Sequence, residues 1–345
     1  MISRLSRLSS TGSGVPTIDM PRRRGWRRLG RRRFRYVDSR DRPIEGDAAL
    51  ERIRELVIPP AWSDVWISPN AGAKLQATGV DKAGRRQYLY HPDFRAAQER
   101  AKFERLLHFA KSLPALRAAT GRHLQLGPYE REWACAIAVL LVNHAWFRAG
   151  TDRHARASRT YGITTLTKRH VTISGDEIRF SFRGKNSRSV VRTVENDRLA
   201  RELRHLVELE DGARLFRYER DGETCNLTSA VLNEYLGEHL GNGFTAKDFR
   251  TWGGTLLAAV ELGRHRPPES EADANRVLAG VMRKVGDELG NTAAVARGSY
   301  VSPVVVDHYR AGRTIEDFRP KPGSRTARLR ADEVAVLRML RAKPA

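Results

Sequence analysis

Cysteine is scarce. Cys135 and Cys225 are the only two, and no CxxC spacing joins them. That excludes a disulfide framework and a thiolate zinc site, and it fits a reducing compartment. No carboxylate, histidine or cysteine cluster has ligand spacing, which argues against a metal-dependent nuclease and leaves no metal site to expect. No GxxxxGK[ST] loop is present, which argues against ATP-driven machinery. No apolar run reaches transmembrane length, and Met1-Ile2-Ser3-Arg4-Leu5 does not develop into the apolar region of a signal peptide. A cytoplasmic, nucleoid-associated location without membrane contact is expected. Negative charge is also in deficit. Asp and Glu total 40 against 62 Lys and Arg, a formal net charge of +22. Such an excess attracts polyanions, so DNA or RNA is the natural partner, bound less tightly as salt rises. Charge alone leaves a ribosome-associated or histone-like protein open. The apolar fraction of 40% in 345 residues suits a soluble protein of one large or two ordinary domains.

Composition and periodicity divide the chain. Residues 1–21 are rich in Ser, Gly and Pro and are expected to form a flexible tail. Arg22 to Arg35 holds nine arginines with Trp26 and Phe34 interleaved, either a solvated basic tail or a nucleic-acid-contacting arm. Strands are predicted over Phe34–Asp38, Asp64–Ser68, Lys74–Thr78 and Arg86–His91, with a turn at Asp81-Lys82-Ala83-Gly84. A short helix over Ala48–Leu56 is stopped by Pro59-Pro60. This α+β unit, 22–98 with its arm, precedes a mainly helical region, 99–345. Helices are predicted over Ala101–Leu113, Glu130–Ala149, Thr228–His239, Asp273–Leu289, Thr292–Val301 and Ala331–Arg341. Residues 195–262 read as helical throughout. One β island, Val171–Ile173, Ile178–Arg183 and Ser189–Val194, reads as a three-stranded antiparallel sheet.

Four residues stand out in order. Arg148 ends an apolar helix, where an arginine alone reads as a cap on the helix dipole. Lys185 sits at a predicted hairpin tip, where most lysines are merely solvated. A flexible tip also suits a lysine that swings toward a leaving oxygen and gives it a proton. Arg250 follows Lys247 in Lys-x-x-Arg, on a short helix from Thr245. Salt bridging to Asp248 is the plain reading, but Trp252-Gly253-Gly254 implies close packing and a buried arginine that needs an anionic partner. Tyr300 comes fifty residues after Arg250. A tyrosine can attack phosphorus and store the bond energy as phosphotyrosine, while fixed cations neutralise the phosphorane.

Taken together, these residues resemble type IB DNA topoisomerases, in the small poxvirus-like form found in bacteria. Gly84-Arg85-Arg86-Gln87-Tyr88-Leu89-Tyr90 is similar to the family's N-terminal Gly-Arg-x-Gln-Tyr-x-Tyr strand. Tyr161-Gly162-Ile163-Thr164-Thr165-Leu166 with His170-Val171, then Phe182-Arg183-Gly184-Lys185, resemble the segments after the first arginine. Thr245 to Thr251 is similar to the most specific motif, and Leu289-Gly290-Asn291-Thr292 with Ser299-Tyr300 completes the set, over roughly residues 30 to 310. The resemblance implies a β-rich N-terminal domain and the helical catalytic fold shared with tyrosine recombinases. It implies Tyr300 as the nucleophile of a 3′-phosphotyrosyl link, with Arg148 and Arg250 on the nonbridging oxygens. Lys185 would protonate the departing 5′ oxygen. Lys247, Gln87, Tyr88 and Tyr90 would contact DNA. No cofactor, metal or ATP would be needed, and a monomer would clamp duplex DNA.

Two positions depart from the family's pattern. Asn291 stands where histidine is frequent; its amide can donate a hydrogen bond but carries no charge. His154 stands where tyrosine is frequent and reads as a surface or supporting histidine. The nearest alternative is a tyrosine recombinase or integrase. Those enzymes usually carry His in place of Lys247 and a helical front domain. A non-enzymatic basic DNA-binding protein is the other alternative, and it would not need Tyr300.

Overall fold

Trp26 is packed into a sheet, although it lies in the arginine arm. The computed structural model describes residues 24–30, 33–209, 212–320 and 329–343. The expected tail over 1–21, and Arg22, Arg23, Arg31 and Arg32 of the arm, lie outside the described residues. The chain divides into two compact units, Met1–Glu104 and Arg105–Ala345.

In the first unit, β1 (Trp26–Leu29), β2 (Arg35–Val37), α1 (Asp47–Glu55), β3 (Ser63–Ile67), β4 (Leu75–Val80) and β5 (Arg86–Tyr90) follow one another. The strands form an antiparallel sheet in the order β2-β1-β3-β4-β5. Ile53 of α1 packs with Val65, Ile67 and Ala77 to make the core, and Trp26, Tyr36, Leu56, Ile58, Trp62 and Leu89 surround it. The β1 segment is therefore no floppy tail. Arg28 donates to the carbonyls of Pro59 (3.1 Å) and Trp62 (2.6 Å), and its guanidinium lies 4.2 Å from the Phe34 ring centroid. Arg27 pairs with Asp41. Apolar packing of Trp26 and an inward carbonyl cluster thus recruit part of a basic run into the fold. Small sheets have little stability to lose, and β1 lies between β2 and β3. Deleting residues 1–33 is expected to unfold this unit, seen as lost β signal in circular dichroism and an early melting transition. Retention of both would show the sheet closes without β1.

The division between the units falls inside α2 (Pro92–His123). This helix was expected only over 101–113. It starts at Pro92, because a proline at the first helical position lacks only an N–H that would be unbonded anyway, and it runs through Pro114. Next, α3 (Arg131–Ala145) stops four residues short of the predicted end. Trp146 turns left-handed (φ 51°, ψ 34°). Arg148 therefore lies beyond the helix and is not its cap.

After α4 (Asp152–Ser158), the strands β6 (Val171–Ser174), β7 (Glu177–Arg183) and β8 (Ser189–Glu195) make the expected antiparallel sheet in that order. Helix α5 (Asp197–Glu208) follows. The all-helical expectation for 195–262 fails at β9 (Arg217–Arg220) and β10 (Glu223–Asn226). Asp221 and Gly222 both take positive φ (55° and 76°), the geometry of a tight hairpin turn.

Helix α6 (Ser229–Leu240) is capped by Thr228, whose hydroxyl accepts from the Val231 amide at 3.3 Å. Helix α7 (Ala246–Leu262) is 17 residues long, not short, and buries Phe249, Arg250, Trp252 and Ala258. Then come α8 (Glu271–Leu289), α9 (Ala293–Ser299), α10 (Pro303–Arg310) and α11 (Ala331–Arg341). Tyr300 was expected on a helix. It sits just past α9, at φ −129°. Among the described residues, no helix is long and apolar enough to cross a membrane.

Candidate active site

A capping box sets the start of α7. The Thr245 amide donates to Asp248 Oδ2 at 2.8 Å, and the Thr245 hydroxyl accepts from the Lys247 amide at 3.3 Å. Asp248 is thereby committed to the cap, and to Arg105 at 3.2 Å, rather than to Arg250. One turn of helix leaves Lys247 exposed and turns Arg250 inward, where it is 4% exposed.

Two backbone carbonyls hold Arg250 beside the Tyr300 side chain. Its Nη1 donates to Trp146 O at 2.6 Å and its Nη2 to Leu289 O at 2.6 Å. Its Cζ lies 5.0 Å from the centre of the Tyr300 ring, close enough for a cation–π contact. Burial, and then repulsion from Arg148, pull its pKa down to about 10. It remains a cation at neutral pH.

Arg148 lies on the irregular segment that follows α3. The Ile163 amide donates to Arg148 O and the Thr164 amide to Ala149 O, both at 2.8 Å. A Cβ on Gly162 would come within 2.5 Å of Arg148 O. The Gly162-Ile163-Thr164 motif therefore holds the backbone of this arginine. Its guanidinium donates to Asn291 Oδ1 at 2.7 Å and to Gly290 O at 3.4 Å. Asn291 Nδ2 donates to Leu289 O at 3.2 Å. Its amide oxygen thus orients Arg148, while the amide nitrogen is the group that can donate. Among the described residues no carboxylate pairs with Arg148 or Arg250, so both charges remain available to a phosphate.

Lys185 is exposed in the turn between β7 and β8, where Asn186 and Ser187 adopt positive φ (60° and 57°). It lines one cleft of about 120 Å³ with Arg148, Arg250, Tyr161, Phe182 and Arg192.

The nucleophile candidate is fixed through its backbone. Thr255 Oγ1 donates to Tyr300 O at 3.2 Å and accepts from the Ser302 amide at 3.1 Å. A Cβ on Gly254 would lie 2.8 Å from Tyr300 O and 3.1 Å from Tyr300 Cβ, which accounts for the glycine. Burial alone would raise the phenol. The Arg250 charge and hydrogen bond, with Arg148 and Lys247 behind them, outweigh it and hold Tyr300 below its usual value.

Other residues singled out in the sequence make local contacts. His154 is exposed on α4, its Nδ1 2.7 Å from the hydroxyl of the capping Thr151. Gln87 Nε2 donates to Asp81 Oδ2 at 2.8 Å, supporting the β4–β5 turn. Tyr88 and Tyr90 stack at 6.2 Å, and Tyr88 is 48% exposed. Sequence reasoning missed Trp146, Thr255 and Arg192. The first two act through groups that carry no sequence signal, a carbonyl and a buried hydroxyl. Arg192 did leave one, an arginine in register with Val190 and Val194.

A tyrosine whose phenol is held below its usual value beside two arginines that no described carboxylate neutralises, with an exposed lysine in the same cleft as those arginines, can take a phosphodiester onto the protein. The sequence matches the family described as eukaryotic DNA topoisomerase I, catalytic core, over residues 91–310. Residues 33–81 match the N-terminal domain of bacterial DNA topoisomerase IB. DNA topoisomerase 1B of Acanthamoeba polyphaga mimivirus is 33% identical over 285 residues, spanning 80% of this chain and 84% of the viral protein. DNA topoisomerase 1B of Vaccinia virus (strain Copenhagen) is 22% identical over 275 residues, 77% and 83% of the two chains. The chain belongs to the type IB DNA topoisomerase family.

Proposed function

We propose that this type IB DNA topoisomerase relaxes supercoiled duplex DNA through a covalent bond between Tyr300 and a 3′ phosphate. The observation that carries the reading is the Arg250 guanidinium over the Tyr300 ring, 5.0 Å from its centre, with its charge unpaired by any described carboxylate. The phenol loses its proton to solvent and its oxygen bonds to phosphorus. The P–O5′ bond breaks, and Lys185 Nζ gives its proton to O5′. Arg148 and Arg250 bind the nonbridging oxygens, where charge grows in the phosphorane. Lys247 holds DNA beside the scissile phosphate. The 5′ end rotates about the intact strand and its hydroxyl then attacks back. The phosphotyrosine conserves the bond energy, so supercoils of either sign relax without ATP or metal. Both units bind the duplex, chiefly through phosphates, with Gln87, Tyr88 and Tyr90 as contacts from the first. The protein acts as a monomer on the nucleoid.

Relaxation of a supercoiled plasmid in EDTA without ATP tests this, together with mapping of the residue that keeps a labelled nucleotide after denaturation. Relaxation with label on Tyr300 is expected. A strict need for ATP, or label elsewhere, refutes the mechanism.

Asn291 permits a narrower test. Its oxygen accepts from Arg148, and an imidazole accepts there only while neutral. Asn291→His is expected to remain active and to add a second titration, between about pH 5 and 8, to the profile that the Tyr300 phenol sets. An unchanged profile rules out contact between this position and the reacting centre.

A further inference from the structure

The last turn of α8 gathers arginines from three elements. Arg192 of β8 donates through Nη2 to the carbonyls of Asp287 (2.9 Å) and Glu288. Arg250 of α7 donates to Leu289 O, and Arg148 to Gly290 O. These are successive carbonyls at a helix end, where the dipole favours cations and acceptors run short of intrahelical partners, Asp287 O alone of the four also accepting from the Gly290 amide at 3.1 Å. Two of the three arginines belong to the proposed phosphate site. The third, Arg192, lies on the hairpin that carries Lys185.

Its place in β8 is unusual. Val190, Arg192 and Val194 alternate on the half-buried side, while Ser189, Val191, Thr193 and Glu195 are exposed. Ordering an arginine in an apolar register costs side-chain entropy and desolvation. The ion pair with Glu288, at 3.6 Å and partly exposed, offsets little of that. The carbonyl bonds tie the strand to the helix end. The hairpin is stiff between that tie and its tip. β7 and β8 pair from Glu177 with Glu195 through Arg183 with Ser189. At the tip, a Cβ on Gly184 would reach Val190 Cγ2 at 2.7 Å. Fixing Arg192 therefore fixes where the tip stands relative to the acceptors of Arg148 and Arg250.

We propose that Arg192 is a positioning residue for Lys185. It brings the proton donor into register with the two arginines by locking the β7–β8 hairpin onto the end of α8. This rests on the reading of Lys185 as donor to the 5′ oxygen, and the test separates the two. Single-turnover cleavage is measured on two duplexes that differ at one atom, oxygen or sulfur at the 5′ bridging position of the scissile phosphate. A thiolate leaves without a proton, so loss of the donor is silent on the sulfur substrate.

Lys185→Ala is expected to be slow on oxygen and restored on sulfur. Arg192→Ala should fall about 10- to 100-fold on oxygen, the scale for a catalytic group misplaced by about 1 Å. On sulfur it should approach the wild type, and Arg192→Lys should lie between on oxygen. If Arg192→Ala is slow on both duplexes, or on neither, the positioning role is overturned while the Lys185 result stands. If Lys185→Ala stays slow on sulfur, the donor reading fails and Arg192 loses this role with it. A melting curve for Arg192→Ala that matches wild type excludes general unfolding. Should that variant unfold, the Arg192→Lys oxygen-to-sulfur comparison alone decides, with equal slowing on both overturning the proposal.

Discussion

Tyr300→Phe is expected to form no covalent adduct with DNA while folding and binding DNA as the wild type does. The substitution removes the phenol oxygen and its contact with Arg250. The residue is held by Thr255 through its carbonyl, not its hydroxyl, so the backbone stays in place. The ring stays against the Arg250 guanidinium, keeping a cation–π contact worth about 0.5–2 kcal/mol. The basic surfaces that bind phosphates are untouched. Cleavage should drop on the order of 10⁴-fold or more, the scale for removing an essential nucleophile. Plasmid relaxation, adduct on a denaturing gel and filter binding report the three quantities separately. Adduct from the variant would move the nucleophile elsewhere. Unchanged relaxation without adduct would point to a contaminating activity.

Arg250→Ala carries the second largest effect, and it is visible in pH as well as in rate. One fixed donor to a developing oxyanion is worth about 10²–10³ in rate, so cleavage should fall at least that far. The sign of the pH effect follows from Tyr300. Burial raises its phenol, and Arg250 is the foremost influence that lowers it below the usual value. Removing the cation leaves burial in place, so the phenol must rise and less phenolate exists at any given pH. The alkaline-rising limb of kcat/KM for cleavage, which reports the free protein, is expected to move to higher pH in Arg250→Ala. Arg250→Lys restores a charge but not the fork that spans Trp146 O and Leu289 O. Its limb should lie between the two, with most of the rate defect remaining. A limb that stays put in both variants would detach the phenol's ionisation from Arg250.

The sequence carried the short-range part of this architecture well. Thr228 as a cap, the sheet of β6–β8 and the span of α11 follow from local chemistry: a hydroxyl before an apolar period, turn residues between alternating strands, a helical stripe. The inward turn of Arg250 was legible because Gly253 and Gly254 leave room only for close packing. What escaped depends on tertiary contacts. The left-handed Trp146 has no propensity signal, yet it ends α3 before Arg148. The β9–β10 hairpin was hidden in a helical reading although Asp221-Gly222 marks its turn. The whole arm from Arg22 to Arg35 reads as tail or DNA contact because its arginines outweigh Trp26, whose packing places β1 in the sheet. The role of the Asn291 oxygen could not be read at all, since Arg148 is distant in the chain.

Carbonyls hold Arg148, Arg192 and Arg250 at the end of α8, and every residue type supplies a carbonyl. Substitutions at Asp287 or Glu288 that preserve the helical turn leave those acceptors where they are. Side chains on this turn can therefore drift, changing the local surface charge and its response to ionic conditions, while the transfer chemistry stays anchored. The arginines are held in place by the path of the main chain, which insulates the centre they form from changes at its own rim.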